Sequence, residues 1–82
     1  MNNPIMRKIV VTAEYRALPS IRGTFEVSTA PSNAGIVYFK GDDGSDVPWV
    51  AGEYHYFERI ELSSIQVKGT PGDVVTVIGG SW

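Results

Sequence analysis

The side chains that could take part in a reaction are one histidine, His55, and nine carboxylates. As the only imidazole, His55 could serve as a general base or as a pH-sensitive group. The chain has no cysteine, however, and none of its serines lies in a known nucleophile motif. Because Tyr54, Tyr56 and Phe57 flank His55, we expect a surface or interface histidine on a strand rather than a catalytic base.

The acidic segment GDDGSD, residues 41–46, brings three carboxylates close together in the sequence. Carboxylate and carbonyl oxygens are the ligands that calcium prefers, but a loop of the EF-hand type needs acidic groups at alternating positions and a later glutamate. Asp42 and Asp43 are adjacent, so the spacing does not fit. We expect a solvated turn between two strands and no metal site.

Three glutamates could supply the carboxylate pair of a glycoside hydrolase: Glu53, Glu58 and Glu61. On a strand through this region, Glu58 and Glu61 differ in parity, so they are expected to point to opposite faces. The segment GTPGD, residues 69–73, lacks the Lys-Ser/Thr ending and the helix of a phosphate-binding loop, and it predicts a hairpin turn. We therefore expect no catalytic residues, no cofactor and no enzymatic activity.

The net charge of −2 is spread along the chain, and Arg7 and Lys8 form the only adjacent basic pair. Nucleic-acid phosphates are usually tracked by a basic stripe, which this sequence lacks. No apolar run approaches the roughly 20 residues that cross a bilayer as a helix. These patterns predict neither a nucleic-acid partner nor a membrane partner.

Strand signals recur along the chain, whereas nine glycines and five prolines leave no stretch with a clear helical period. Apolar alternation and short apolar runs, separated by turn-forming residues, predict six strands. They cover residues 8–16, 23–28, 36–40, 54–62, 65–68 and 73–78. The pattern predicts an all-β fold, a small antiparallel β-sandwich or open barrel of about six short strands, in a single domain over residues 1–82.

The small size of the chain indicates a need for additional support. Domains of this length bury a thin core and usually rely on disulfides, a metal or a partner subunit. The absence of cysteine excludes disulfides, and a single histidine argues against structural zinc. We expect a homo-oligomer, with a trimer favoured, or a module docked on a larger assembly; the alternative is a well-packed monomer.

Aromatic side chains are the best candidates for binding a partner, because they dominate interface energetics and carry polar groups suited to partly wet surfaces. We expect about half of them to fill the core and the rest to reach a subunit contact. Residues 1–7 are expected to form an N-terminal contact arm. The predicted interface residues are Ile5, Met6, Tyr38, Trp49, Tyr54, Tyr56 and Trp82.

Three segments resemble a layout found in small proteins of tailed bacteriophages. Residues 33–41 match N-x-G-x-V-Y-x-x-G, residues 50–53 match x-x-G-E, and residues 65–79 contain I-x-V-x-G-x-x-G-D-x-V-x-V. The resemblance extends over roughly residues 8–80, and its motifs are turn and strand signatures. This chain departs from the layout in having Lys40 before Gly41 and an aromatic-rich fourth strand.

The resemblance implies a non-enzymatic virion protein of the capsid decoration (cement) or head-fibre type, assembled in the bacterial host cytoplasm. Its partners would be copies of itself and the major capsid protein or another virion protein, and it would stabilise the particle by bridging shell subunits. An alternative is a tail- or fibre-associated module that binds host glycan or receptor through exposed tyrosines and tryptophans. A third reading is a β-barrel for a small ligand or nucleic acid.

Overall fold

Two four-stranded antiparallel sheets pack face to face and enclose the core between them. The computed structural model describes residues 3–81. Sheet A consists of β1 (Asn3–Val10), β3 (Arg22–Thr29), β6 (Tyr54–Glu61) and β8 (Val74–Ser81), in the spatial order β1-β8-β3-β6. Sheet B consists of β2 (Arg16–Ala17), β4 (Val37–Lys40), β5 (Val47–Trp49) and β7 (Gln66–Lys68), in the order β2-β7-β4-β5. One turn of 3-10 helix, Leu62–Ser64, leads from β6 towards β7.

The prediction of a small antiparallel β-sandwich is confirmed, with eight strands in place of about six. The first predicted strand, residues 8–16, is divided, because the chain leaves sheet A after Val10 and enters sheet B at Arg16. At this crossing the Val11 N–H donates to the Asp73 carbonyl at 2.9 Å. Strand β5, which lies between the third and fourth predicted strands, was not predicted.

The core is formed by alternate residues of the facing strands, as the period of two in a strand requires. Phe39 on β4 and Trp49 on the edge strand β5 stack with their ring centroids 3.7 Å apart on the inner face of sheet B. The buried apolar residues are Val11, Leu18, Phe25, Val27, Val37, Phe39, Trp49, Leu62, Val67, Val75 and Val77. Trp49 is only 5% exposed, which corrects the expectation that it lies at the surface.

Two polar side chains, Asn33 and Asp73, join the loop before β4 to the turn before β8; we call them the latch. Asp73 is 7% exposed, and its carboxylate accepts the N–H groups of Ala34 at 3.0 Å and Gly35 at 2.9 Å. The Asn33 amide donates to the Val74 carbonyl at 2.9 Å and accepts the Val74 N–H at 2.8 Å. Since both segments cross between the sheets, the latch holds the sheets together at this end.

A second set of bonds fixes the turn between β5 and β6, which also crosses between the sheets. The buried Thr29 hydroxyl donates to the Val50 carbonyl at 2.6 Å and accepts the Glu53 N–H at 3.1 Å. Gly52 has a φ of 80°, a conformation that costs glycine little and other residues more. Three crossings between the sheets are therefore fixed at the same end of the sandwich.

Strands β3 and β8 approach each other so closely that Gly79 has no room for a side chain. A Cβ atom at Gly79 would lie 2.0 Å from the Thr24 carbonyl oxygen and 2.8 Å from the Phe25 Cα. Both neighbours are backbone atoms of a central strand, so they cannot move aside without breaking the sheet.

Within residues 3–81, no helix has the length and apolar character that crossing a membrane would require.

Replacing the latch carboxylate should destabilise the fold. We expect Asp73→Ala to lower the free energy of unfolding by about 3 kcal/mol, because it leaves buried N–H groups without their charged acceptor. Urea denaturation measures the change. The control, Asp42→Ala, makes the same substitution at an exposed aspartate in a turn and should change the free energy of unfolding by less than about 0.5 kcal/mol. Equal losses in the two variants would contradict the role of the latch.

Adding one methyl group at Gly79 should have a large effect. We expect Gly79→Ala to cost at least about 3 kcal/mol of stability or to prevent folding, because overpacking against backbone cannot relax. Gly41→Ala is the matched control, since a Cβ at Gly41 meets nothing within 4 Å. Circular dichroism during thermal unfolding compares the two variants, and similar melting temperatures would show that the close approach is not restrictive.

Candidate interaction surface

The outward-facing side chains of sheet A form a broad surface, which we call the A face. They point away from the core because they alternate with buried residues such as Phe25, Val27, Val75 and Val77. Their members are Pro4, Met6, Lys8 and Val10 on β1, Val74, Thr76, Ile78 and Gly80 on β8, Thr24, Glu26 and Ser28 on β3, and Tyr54, Tyr56 and Glu58 on β6. Five of the nine large apolar side chains exposed within residues 3–81 lie on the A face: Met6, Val10, Tyr54, Tyr56 and Ile78.

The strand register places the apolar side chains of the A face next to one another. Met6 is paired with Ile78, Ile78 with Glu26, and Glu26 with Tyr56, so one row crosses all four strands. In that row Met6 is 75% exposed, Ile78 49% and Tyr56 67%. Side chains directly opposite on neighbouring strands lie about 5 Å apart, so Met6 and Ile78 are neighbours, and the charged Glu26 lies between Ile78 and Tyr56.

A shallow depression of about 630 Å³ lies beside this row, where Gly80 presents no side chain. Its walls include Pro4 on β1, Thr24 on β3 and Tyr56 on β6. Apolar surface that is exposed as one patch, with a depression beside it, is typical of protein interaction sites. The A face can therefore contact a partner over a wide area.

The predicted interface residues divide into several groups. Met6, Tyr54 and Tyr56 lie on the A face, and Tyr38 lies on the outer face of sheet B. Ile5 is half-buried and packs against the core, and Trp49 is part of the core. Trp82 lies outside the described residues. Of the proposed contact arm, residues 3–7 belong to β1, where they pair with β8.

Sequence reasoning missed Val10 and Ile78 as members of this surface. Ile78 could have been found from the alternation in residues 74–78, where Val75 and Val77 have one parity and Ile78 the other. Val10 could have been found in the same way, because it shares its parity with the polar Thr12 and Glu14 and not with Ile9.

His55 fixes the turn between β5 and β6. Its Nε2 lies 2.7 Å from the Glu53 carboxylate, and its ring meets Trp49 edge-on with the centroids 4.6 Å apart. The same carboxylate accepts the Val50 N–H at 3.0 Å. These bonds, first that from His55, lower the pKa of Glu53 below its ordinary value of 4.5. Both ring contacts of His55 are thus to residues that shape this turn.

Four of the six carboxylates considered for catalysis or metal binding have partners within the chain: Asp43, Asp46, Glu53 and Glu61. Asp43 accepts the Ser45 N–H within the acidic turn at 2.9 Å, and Asp46 accepts the Tyr15 hydroxyl. Residues 3–81 contain no group of three or more histidine, aspartate or glutamate side chains that could hold a metal ion. The Glu61 carboxylate accepts the Ser63 hydroxyl at 2.9 Å, a bond that lowers its pKa.

The parity argument that separated Glu58 from Glu61 was wrong. Strand β6 contains a bulge at this point, with Glu58 and Arg59 both opposite Thr24, and Arg59 has a φ of 55°. The extra residue shifts the alternation, so that Glu61 returns to the same side of the sheet as Glu58. The Thr24 hydroxyl accepts the Arg59 N–H at 3.2 Å and so gives a hydrogen-bond partner to a backbone group at the bulge.

The outer face of sheet B carries a second, more polar group of side chains. The ammonium groups of Lys40 and Lys68 lie 4.3 and 4.8 Å from the centroid of the Tyr15 ring. Burial and the hydrogen bond to Asp46 raise the pKa of Tyr15 to about 12. Tyr38 lies beside Lys68 in the same row. These contacts are within the chain, so the two lysines already interact with an aromatic ring.

No protein-family model matches this chain, and no curated protein or solved structure matches it significantly. Each of the three segments that carry the bacteriophage resemblance includes residues at a crossing between the sheets. Asn33 and Asp73 form the latch, Gly52 and Glu53 form the turn before β6, and Gly72 has a φ of 97° in the turn before β8. Each motif therefore has a structural explanation in this fold.

The lowered pKa of Glu53 predicts a pH effect on stability. Its contribution is complete above a pH of about 4.5 and is lost as the pH falls through the lower folded-state pKa. We expect Glu53→Gln to lower the melting temperature near neutral pH, and the difference from the unmodified chain to shrink as pH falls from about 6 to about 3. The exposed Glu14→Gln is the control and should show no such convergence. A difference independent of pH would contradict the assignment.

Proposed function

We propose that this chain is a non-enzymatic structural protein of a bacteriophage virion that binds a protein surface through its A face. The observation that carries the proposal is the group of five large apolar side chains exposed on one face of a four-stranded sheet: Met6, Val10, Tyr54, Tyr56 and Ile78. Exposed apolar surface of this kind is costly to leave in water, and burial against a partner removes the cost. The virion assignment is supported by the resemblance of residues 33–41, 50–53 and 65–79 to small phage proteins.

The proposed mechanism is clamping of neighbouring shell subunits. A sandwich fixed at its crossings by the latch presents the A face as a preformed surface, so little ordering is needed on binding. Burial of Met6, Ile78 and the two tyrosines supplies apolar contact, and Glu26 and Lys8 supply polar contact beside it. Because the protein binds the assembled shell, it stabilises that state by mass action.

A second candidate function has support from Tyr54 and Tyr56. Both rings are exposed on β6, two residues apart and on the same side, as in an aromatic platform for a sugar. This arrangement favours a tail- or fibre-associated module that binds host glycan. Trp49 lies in the core and is not available to a glycan.

Binding to capsid shells tests the proposed function. Shells of the phage that encodes the protein, stripped of accessory proteins, should bind the purified chain and gain resistance to heat. We expect Ile78→Ser and Tyr56→Ser to weaken shell binding at least about tenfold, because they remove large apolar side chains from the A face. Val47→Ser, which truncates an exposed apolar residue of sheet B, should leave binding unchanged.

Shell binding and glycan binding, measured side by side, separate the two candidate functions. Unchanged heat resistance of shells with and without the protein would contradict the clamping mechanism. Binding to a glycan array that Tyr54→Ala and Tyr56→Ala abolish, without binding to shells, would establish the glycan-binding module instead.

A further inference from the structure

We infer that, before the protein reaches its partner, the A face is covered by the A face of a second copy, with Lys8 of each copy paired with Glu26 of the other. The inference deepens the proposed function, since it rests on the same surface. It states which partner fits that surface in free solution and how the two copies are oriented.

Two opposite charges on the A face give the first support for this dimer. Lys8 lies on the edge strand β1 and Glu26 two strands away on β3, one row further along. At the usual strand spacing and rise, their Cα atoms are roughly 12 Å apart, too far for a direct ion pair in one copy. Both residues are exposed, and neither belongs to an ion pair within residues 3–81. Opposite charges that share a face without meeting are suited to a self-complementary interface.

The proposed two-fold axis lies in the plane of the face, passes midway between Lys8 and Glu26, and is perpendicular to the line that joins them. It places Lys8 of each copy over Glu26 of the other copy. The strand register then determines the remaining contacts. Tyr54 falls over Val74 of the second copy, Tyr56 over Val10, and Met6 beside the depression at Gly80. The two sheets cross at roughly 70°, close to the orthogonal class of sheet packing.

The side chains that this axis brings together are chemically compatible. The exposed tyrosines meet valines, and Met6 meets Ile78 beside the depression at Gly80. No like charges are opposed, because Glu58 falls beyond the edge of β1 in the second copy. Charge therefore meets opposite charge while apolar groups meet apolar groups, which is the pattern of a specific interface.

The area available indicates a reversible dimer. Four strands of eight residues span about 500 Å² at standard spacing, but two such faces that cross at roughly 70° overlap over only about 400 Å². Two copies therefore bury about 800 Å² in total, which is less than the roughly 1,000 Å² of a stable interface and typical of a weak, transient one. A two-fold dimer of this kind takes the place of the trimer favoured from the sequence. It would keep the apolar face out of water until a larger surface competes for it.

Charge reversal with exchange of partners tests the inference. Sedimentation equilibrium of the full chain should show a monomer–dimer equilibrium. We expect Lys8→Glu and Glu26→Lys each to weaken dimer formation at least tenfold, because each creates two like-charge pairs. An equimolar mixture of the two variants should recover dimerisation to near its original strength, because both ion pairs are then restored between unlike copies.

Arg7→Glu is the matched control. It makes the same charge change on the neighbouring residue of β1, whose parity is opposite to that of the A face, so it should leave the dimer unchanged. Circular dichroism checks that all variants are folded, which their exposed positions lead us to expect.

The results that would overturn the dimer differ from the results that would overturn the proposed function. A monomer at every concentration, a trimer, an effect of Arg7→Glu as large as that of Lys8→Glu, or a mixture that stays monomeric would each overturn the dimer. Shell binding by the unmodified chain would remain to support the proposed function in all of those cases. Shells that fail to bind, with a dimer that follows the charge rules, would overturn the function and support the dimer.

Discussion

The structure depends on one buried carboxylate. Asp73 accepts two N–H groups of the loop that leads into β4, and its own backbone carbonyl accepts the N–H of Val11, where β1 leaves sheet A. Three segments that cross between the sheets thus meet at one residue. A short chain without disulfides can hold two small sheets in register in this way, because a charged acceptor makes stronger hydrogen bonds than a neutral one. The fixed crossings also make the A face a rigid surface.

The two sheets differ in how they treat their edges and outer faces. Sheet B ends in strands of two and three residues, the second containing Pro48, and such short edges resist pairing with other chains. Sheet A ends in two strands of eight residues, of which β6 contains a bulge at Arg59. Its outer face carries apolar side chains, whereas that of sheet B carries lysines that contact Tyr15. Sheet A is therefore the side of the molecule suited to assembly.

The fold class was predictable because alternation of apolar residues is a local signal. Residues 23–28 and 73–78 were correctly recognised as strands, and their parities identify Phe25, Val27, Val75 and Val77 as core residues. The candidate surface was predictable only in part, for Met6, Tyr54 and Tyr56. Local pattern does not reveal where the chain crosses between sheets, and it does not reveal a bulge, so the limits of the first strand and the parity of Glu61 were missed. Burial of Trp49 depends on its stacking with Phe39, a pairing that only the tertiary structure supplies.

The central claim is that protein contact covers the A face in the assembled state. Hydroxyl-radical footprinting of the protein within intact particles, read by mass spectrometry, tests it most directly at Met6, Tyr54 and Tyr56. The account predicts that these three side chains are oxidised much more slowly in the particle than in the dilute free chain, while Tyr38 on sheet B reacts at a similar rate in both. Protection of Tyr38 with continued oxidation of Met6 and Tyr56 would contradict it.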